Sequence, residues 1–308
     1  MNFFKNLPHK KKNSKLVAGV DLGSNSFHLL IGKVERTQKG LQIITLDNLK
    51  SPVKLASGLD EHKILDDNSK ARAILALEMF GERLRSLSPK FVRAVATNTF
   101  RIAKNGKTLL KKCEKSLGFP IEIISGVEEA RLIYKGVSHS LNNDNLTRLV
   151  IDVGGGSTEF AIGRNLSPEI VESIYVGCIK IQKDFFVVNS FNEKSFSKAV
   201  YFARKEIQVI SSTFKKKGWD VVYGCSGTVK SIHDVLIECN LSSGGITIKA
   251  IEKFIERIKV NNSLESKAVN SLKSERQNVF YGGLAIIYSA FKELKIDRME
   301  LSNAALRL

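Results

Sequence analysis

The sequence has few cysteines, and they do not form a recognisable cluster. The 308 residues contain four of them, which stand far apart: Cys113, Cys178, Cys225 and Cys239. None belongs to a Cys-x-x-Cys pair or to a Cys/His cluster with the spacing of a zinc site. This pattern argues against a disulfide-stapled scaffold and a zinc ribbon, and it makes a reducing cytoplasm the expected location.

Long hydrophobic runs are also missing from the sequence. The longest apolar stretch near the C-terminal end, residues 282–291, is too short and too interrupted to span a bilayer. Residues 1–15 include a lysine run but no apolar core of signal-peptide length. We therefore expect neither secretion nor insertion into a membrane.

Acidic residues are in deficit. Asp and Glu number 31 against 48 Lys and Arg, which gives a formal net charge of +17. With 43% apolar and 26% charged residues, the composition is otherwise that of a globular protein long enough for two domains. A chain this basic is expected to meet a polyanion, such as nucleic acid, an anionic membrane or a phosphate-rich polymer. The alternative is a solvated lysine-rich surface with no such partner.

One sequence pattern occurs twice. Residues 16–34 contain an apolar run that ends on Asp21, then a glycine turn, then a second apolar run. Residues 148–163 repeat this order, with Asp152 in the position of Asp21. Each copy predicts a β-hairpin. The separation of about 130 residues is too long for a solenoid repeat and indicates a duplicated domain.

The segments around the hairpins alternate between strand and helix patterns. The residue pattern predicts helices over 68–87, 108–116, 128–138, 195–216 and 229–239, and a mostly helical remainder from residue 248 on. The polar residues 141–145 form a candidate hinge. We therefore divide the chain into a disordered basic tail (1–15), an N-terminal domain (16–140) and a C-terminal domain (141–308).

Two facing hairpins of this kind are suited to hold a phosphate group and a metal ion. Glycines let backbone N–H groups approach an anion closely, and Ser, Thr and Asn side chains add donors. The acids that end the strands can hold a hard divalent cation that bridges to phosphate oxygens. One hairpin alone could equally be a turn without a ligand, but two with matching acids favour a phosphate site.

The longer motifs resemble those of one known family. The two hairpins and the turn GCSGT at 224–228 look like the phosphate 1, phosphate 2 and distal glycine motifs of the actin/sugar kinase superfamily. Within it, residues 16–307 closely resemble the exopolyphosphatase/guanosine pentaphosphate phosphohydrolase family. The matching words are GSNSFHLLI, TNTFRIA, IISGVEEARLI, IDVGGGSTE, VGC, GCSGT and the pair Glu275-Arg276. The resemblance implies an α/β fold with two duplicated actin-like (ribonuclease H-like) domains, mixed sheets flanked by helices and an active-site cleft between them.

The resemblance also implies roles for individual residues. Glu129 would be the general base that activates water, and Arg101 would bind phosphate. The residues expected to cradle phosphate are Gly23, Ser24, Asn25, Gly155, Gly156, Ser157 and Thr158. The acids expected to hold Mg²⁺, with Mn²⁺ as an alternative, are Asp21, Asp152 and Glu159. Gly227 and Arg276 are candidate contacts for a nucleotide or polymer. Gly227 matches the position where nucleotide-binding relatives hold the nucleoside, although its role could be structural, and Arg276 matches a family position near the cleft, although a surface ion pair is the alternative.

Two further residues leave alternatives open at this point. From spacing alone, Glu128 is hard to separate from Glu129, although a solvated first-turn acid is the simpler interpretation. His28 lies on a strand among apolar neighbours, and we expect a hydrogen-bonded core histidine there rather than a proton shuttle.

The chain departs from the family pattern at its end. Family members commonly end this region with Leu-Arg-Glu-Gly, whereas residues 306–308 are Leu-Arg-Leu. The long form of the family also carries a further helical domain of the HD type, and this chain resembles the short, two-domain form.

The favoured function is an exopolyphosphatase that releases terminal orthophosphate from inorganic polyphosphate. The alternative is a guanosine pentaphosphate 5′-phosphohydrolase of the stringent response, and both activities could share one site. A sugar or acetate kinase is disfavoured because the Glu129 region matches the phosphohydrolases. A nucleic-acid-binding protein is supported by charge alone, since no known nucleic-acid-binding motif is present. We expect a cytoplasmic homodimer with no specific nucleic acid partner and no membrane partner.

Overall fold

The computed structural model describes residues 15–37, 40–141, 144–186, 190–260 and 263–302. The tail expected at residues 1–15 lies outside the described residues except for Lys15, which begins the first strand. The terminal residues 306–308, where the sequence departs from the family pattern, also lie outside them.

The described strands form two sheets. The first consists of β1 (Lys15–Leu22), β2 (Phe27–Thr37), β3 (Gly40–Ser51), β4 (Val92–Ala96) and β5 (Ile121–Ile123). The second consists of β6 (Thr147–Val153), β7 (Thr158–Arg164), β8 (Ser167–Ile174), β9 (Val221–Cys225), β10 (Ile246–Thr247) and β11 (Arg298–Leu301). Both hairpins predicted from the sequence are present as β1–β2 and β6–β7.

The two sheets share one topology. The first has the order β3-β2-β1-β4-β5, and the second has β8-β7-β6-β9-β11 with β10 added at its edge. In each sheet the three strands that come first in the chain (β1–β3 and β6–β8) pair antiparallel. The next strand in the chain pairs in parallel with the first, β4 with β1 and β9 with β6. This correspondence confirms the duplicated α/β architecture.

The helices follow the same division along the chain. Those of the first half are α1 (Asp67–Leu84), α2 (Asn98–Ile102), α3 (Gly106–Leu117) and α4 (Gly126–His139). Those of the second half are α5 (Cys178–Phe185), α6 (Glu193–Lys217), α7 (Gly227–Glu238), α8 (Ile248–Lys259), α9 (Ser263–Ser271), α10 (Ser274–Gln277) and α11 (Phe280–Leu294). The sequence analysis missed α2 and α5 because both are too short to show helical periodicity.

Helix α4 packs against the second sheet although it precedes the predicted domain boundary. Its buried side chains Ile133, Tyr134 and Val137 contact Val150 and Ala161 on strands β6 and β7. The opposite face of that sheet packs on α5 to α8 and α11. Strand β6 is therefore buried along its whole length. The division at residue 140 stays a prediction, and α4 is the element that joins the two halves.

Within the part of the chain that is described, no helix is long and apolar enough to cross a membrane.

Candidate active site

A cavity of about 440 Å³ lies where the two hairpin turns face each other. A volume of this size suits a small ligand, for which pockets of roughly 300–1,000 Å³ are usual. Its wall includes these predicted site residues: Asp21, Gly23, Ser24, Asn25, Glu129, Asp152, Gly155, Gly156, Ser157, Glu159, Gly227 and Arg276. The structure therefore brings together residues that lie up to 255 positions apart in the sequence (Asp21 to Arg276).

The first hairpin turn is held by tertiary hydrogen bonds. Ser24 is only 6% exposed, and its hydroxyl accepts a hydrogen bond of 2.8 Å from Thr99 Oγ1. The backbone oxygens of Ser24 and Asn25 accept from Ala56 N and Lys54 N at 2.9 and 2.7 Å. These bonds fix the turn beside Asp21 before any ligand binds.

The second hairpin turn places two acids side by side. Asp152 pairs directly with Glu159 across strands β6 and β7. Directly opposed residues of an antiparallel pair project from the same face, with Cβ atoms about 4.5–5.5 Å apart. Gly154 closes the turn by donating from its N–H to the Ser157 oxygen at 2.9 Å. The two carboxylates therefore share one end of the cavity.

Glycines allow the two turns to approach each other. A Cβ atom on Gly155 would lie 3.3 Å from the Ser24 Cβ, and one on Gly156 would lie 2.4 Å from Asn98 Oδ1. Both contacts join the first half of the chain to the second. Larger side chains at positions 155 and 156 would hold the two hairpin turns apart.

Glu129 lies in the first turn of α4 and points into the cavity. The helix begins after Ser125, whose hydroxyl accepts from Glu128 N at 3.1 Å as an N-cap. Burial raises the pKa of the Glu129 carboxyl above its ordinary value, although the Arg101 charge and bonds from Arg101 and Thr97 oppose the rise. A buried carboxyl with a raised pKa is well matched to accept a proton near neutral pH.

The neighbouring Glu128 faces elsewhere. Arg131 donates two hydrogen bonds of 2.7 Å to its carboxylate, and these bonds lower the pKa of Glu128. Glu128 is not among the residues that line the cavity. The structure thus separates the two adjacent acids that spacing alone could not.

Glu159 is the most strongly perturbed acid of the site. It is 2% exposed, and its Oε1 accepts from Ser173 Oγ at 2.8 Å. Burial, followed by the negative charges of Glu129 and Asp152, raises the pKa of Glu159 well above its ordinary value. Three acids with little solvent around them repel one another, and a bound cation would relieve that repulsion.

The acids fit a magnesium site in which the protein supplies only some of the ligands and the substrate supplies others. Among the described residues, no three His, Cys, Asp or Glu side chains form a group that could hold a metal ion by themselves. Mg²⁺ is usually held by one or two carboxylates together with substrate phosphates and water. The oxygen ligands of Asp21, Asp152 and Glu159 suit that mode of binding.

Two predicted phosphate-binding residues do not line the cavity. Thr158 is fully buried, and its hydroxyl donates to the Val176 oxygen at 2.5 Å. Arg101 Nη1 donates to Glu129 Oε2 at 2.9 Å and to the Ile124 oxygen at 2.8 Å. In this structure Thr158 supports the hairpin from behind, and Arg101 holds the carboxylate of Glu129. The phosphate contacts expected of both residues stay predictions.

Part of the cavity wall, called the basic wall below, carries four cationic side chains, and one of them, Lys230, is paired with Asp234 of the same lining. A Cβ atom on Gly227 would lie 2.1 Å from Arg276 Nη2, so Gly227 leaves room for the Arg276 guanidinium. Lys50 reaches from β3 to Glu275 of α10 at 3.4 Å and lines the same wall. Burial and the charge of Arg276 lower the pKa of Lys50. Lys230 and Lys273 also belong to this wall.

Several residues of the site were not predicted from the sequence, or were predicted wrongly. His28 lines the cavity, because it pairs with Asp21 across the first hairpin, and the expectation of a core histidine is wrong. Cys225 Sγ lies 3.3 Å from Asp152 Oδ2, and Ser173 contacts Glu159. The hairpin alignment itself could have placed His28, since Asp21–His28 corresponds to Asp152–Glu159. Nothing in the sequence signals the contacts of Cys225 and Ser173.

Comparison with known proteins gives a consistent result. A model of the Ppx/GppA phosphatase family matches residues 33–308. A guanosine-5′-triphosphate,3′-diphosphate pyrophosphatase of Vibrio vulnificus is 37% identical over 295 residues, which are 96% of this chain and 58% of that protein. A Haemophilus influenzae protein provisionally named exopolyphosphatase is 35% identical over 300 residues, 97% of this chain and 91% of that protein. The chain thus spans little more than half the length of the Vibrio relative.

The fold is also known from crystal structures. The Aquifex aeolicus member of the Ppx/GppA protein family superposes with a TM-score of 0.75 at 25% identity, covering 96% of this chain and 95% of that one. The agreement over nearly the whole of both chains confirms the two-domain, actin-like fold that the sequence motifs implied.

Proposed function

Because the chain belongs to the Ppx/GppA phosphatase family, we propose that it hydrolyses terminal phosphoanhydride bonds and releases orthophosphate from the end of inorganic polyphosphate. One observation carries this proposal. A buried glutamate of raised pKa, Glu129, shares a cavity with two glycine hairpins that each end on an acid. The glycine turns suit a phosphate group, and the glutamate suits an attacking water.

The reaction follows from this arrangement. Backbone N–H groups of the two turns hold the terminal phosphoryl group, and Glu129 accepts a proton from a water molecule on that group. The water oxygen forms a new bond to phosphorus, and the bond from phosphorus to the bridging oxygen breaks. The shortened polymer leaves with that oxygen. Arg101 orients the Glu129 carboxylate and favours its charged form through the 2.9 Å ion pair.

Magnesium is part of this proposal. Asp21, Asp152 and Glu159 would hold the ion together with substrate oxygens. When bound, Mg²⁺ neutralises charge that develops on the phosphoryl and leaving oxygens. The three residues offer oxygen ligands only. Such ligands favour hard divalent cations, which makes Mg²⁺ the expected ion and Mn²⁺ the alternative.

The basic wall supports polyphosphate as the substrate. Four cationic side chains line it: Lys50, Lys230, Lys273 and Arg276. A polymer that extends from the hairpins along this wall would place several phosphates near these cations. Such contacts are individually weak and sensitive to salt, and they add up for a long polyanion.

Guanosine pentaphosphate is the second candidate substrate. The observation in its favour is the 37% identity to the Vibrio protein named as a pyrophosphatase of this nucleotide. The same phosphate site would serve, with Arg276 placed to contact the rest of the nucleotide. Whichever substrate is used, we also propose that the protein is a homodimer and that it is cytoplasmic.

The two candidates are separated by kcat/KM measured on long-chain polyphosphate and on guanosine pentaphosphate in one Mg²⁺ buffer. We expect the higher value with polyphosphate and a steeper loss of that value as salt is raised. Lys273→Gln should lower kcat/KM for the polymer, whereas Lys107→Gln, an exposed lysine of α3, should not. A higher value with the nucleotide, and no effect of Lys273→Gln on the polymer, would favour the second candidate.

A further inference from the structure

Helix α2 and its N-cap residue Thr97 supply several contacts to the site, and Asn98 is the residue of the helix itself that lines the cavity. Thr97 and Arg101 hydrogen-bond Glu129, and Thr99 donates to Ser24. Asn98 lines the cavity and is only 3% exposed. Its amide nitrogen, Nδ2, is buried and has no hydrogen-bond partner among the described residues.

Asn98 lies where the two halves of the chain meet. Its Oδ1 would be 2.4 Å and its Cγ 3.0 Å from a Cβ atom on Gly156, so the carboxamide packs closely against the second hairpin turn. The adjacent Gly155 faces Ser24 of the first turn. Asn98 therefore sits beside both turns that would hold a phosphate group.

A buried amide N–H group without a partner is unusual, because such groups are nearly always hydrogen-bonded in native structures. The partner it lacks is an acceptor, and Asn98 is one of the residues that line the cavity. An oxygen of a phosphoryl group held between the two turns is an acceptor of the right chemistry. An arginine or lysine at this position would form ion pairs with the nearby acids, whereas a neutral amide can donate a hydrogen bond without doing so.

On the basis of the proposed function, we propose that Asn98 is a substrate-binding residue that donates from Nδ2 to an oxygen of the terminal phosphoryl group. The bond would hold the phosphoryl group in the seam between the hairpins while Glu129 activates the water. Donors placed in advance around developing negative charge act mainly on the transition state. The motif comparison assigns a role to Arg101 in this segment and none to Asn98.

The test uses variants that separate hydrogen bonding from packing. Asn98→Leu keeps the branched shape against Gly156 and removes both polar atoms, whereas Asn98→Ala removes shape and polarity together. We expect both variants to lose kcat/KM for polyphosphate by about 10²-fold, as the loss of one such donor does elsewhere. Asn98→Asp should lose more, because its charge repels phosphate. Asn68→Leu, at an exposed position of α1, is the control and should keep wild-type activity.

Binding provides a readout that does not depend on turnover. In a Glu129→Gln background, calorimetry with tripolyphosphate and Mg²⁺ should show at least about tenfold weaker binding when Asn98→Leu is added. Thermal unfolding of ligand-free Asn98→Leu should occur at or above the wild-type temperature, since a buried unpaired donor is removed.

The outcomes separate this proposal from the proposed function. Wild-type activity together with unchanged tripolyphosphate binding in Asn98→Leu would show that the residue only fills space, and would overturn the proposal. If the wild-type chain releases no phosphate but Asn98→Leu still weakens tripolyphosphate binding, the proposed reaction fails and the assignment of Asn98 stands.

Discussion

Glu159, a proposed metal ligand, shows how a buried acid can destabilise the fold that holds it. Its pKa is raised well above the ordinary value by burial and by the charges of Glu129 and Asp152. In the metal-free protein the folded state therefore binds this proton more tightly than the unfolded state does. Stability from this group is present at low pH and is lost as pH rises through the raised pKa.

This direction of the pH dependence of stability gives a prediction for Glu159→Gln. In EDTA, the variant should be more stable than wild type at pH 7.5 and nearly equal to it at pH 4.5, because the wild-type carboxyl is protonated there. Each unit by which the pKa of Glu159 is raised corresponds to about 1.4 kcal/mol. Urea unfolding at the two pH values measures the effect. A variant that is less stable than wild type by the same amount at both values would contradict it.

The sequence predicted the residue types of the site better than their contacts. Asp21, Asp152 and the turn glycines could be found because the hairpin pattern repeats within the chain, and Glu159 was found by its motif. The Ser24–Thr99 bond joins residues 75 positions apart, and local patterns carry no signal for such a pair. Arg101 was found by its motif, but its contact with Glu129 depends on how α2 and α4 pack.

At the scale of the secondary-structure elements, the residue that precedes α5 packs against the second hairpin turn. A Cβ atom on Gly177 would lie 2.3 Å from Gly155 O and from Gly156 N. Both neighbours are backbone atoms, so no side-chain rotation can relieve the contact. The second hairpin turn therefore rests directly on the residue that precedes α5.

We predict that Gly177→Ala displaces this turn. It should destabilise the protein by about 1–3 kcal/mol, as overpacking typically does, and should lower kcat/KM in the protein that remains folded. Gly81→Ala is the matched control, because its Cβ would meet backbone oxygens of Ser116 and Leu117 at 2.7 and 2.8 Å far from the cavity. It should cost similar stability and leave kcat/KM unchanged. Equal loss of activity in both variants would contradict the prediction.

Periodicity predicted the long elements and failed for short ones. Helix α6 (Glu193–Lys217) has 25 residues and a clear apolar stripe, and its expected range of 195–216 agrees closely. Helix α2 has five residues, which is less than two turns. Strand β11 (Arg298–Leu301) has four residues, and its parallel pairing with β9 joins Glu300 to Tyr223, which is far from it in the sequence.

At the scale of the whole molecule, the net charge of +17 and the chemistry of the cavity have opposite signs. The proposed reaction centre is formed by acids, of which Glu129 is paired with Arg101, whereas Lys273 and Arg276 belong to another part of the cavity wall. The basic excess is therefore suited to attract and hold a polyanion, while under the proposed function the acids would serve the metal ion and the water. Composition alone predicted an anionic partner but not this division of roles.

The two halves of the chain form one site. Glu129 belongs to a helix that packs on the second sheet, yet its ion-pair partner Arg101 belongs to the first half. Duplication predicted two facing hairpins, and the structure adds that α4 connects them. The proposed base thus sits at the junction of the halves, which is where closure of the cleft would act.

The most direct test of the central claim compares phosphate release by wild type, Glu129→Gln and Glu128→Gln, with polyphosphate and guanosine pentaphosphate in turn. Glu129→Gln should lower kcat by about 10²–10⁴-fold on both substrates, as loss of a general base does, while keeping its fold and tripolyphosphate binding. Glu128→Gln weakens contacts with Arg131 and Arg93 that lie outside the cavity and should keep wild-type kcat. Full phosphate release by Glu129→Gln, or an equal loss in both variants, would contradict the account.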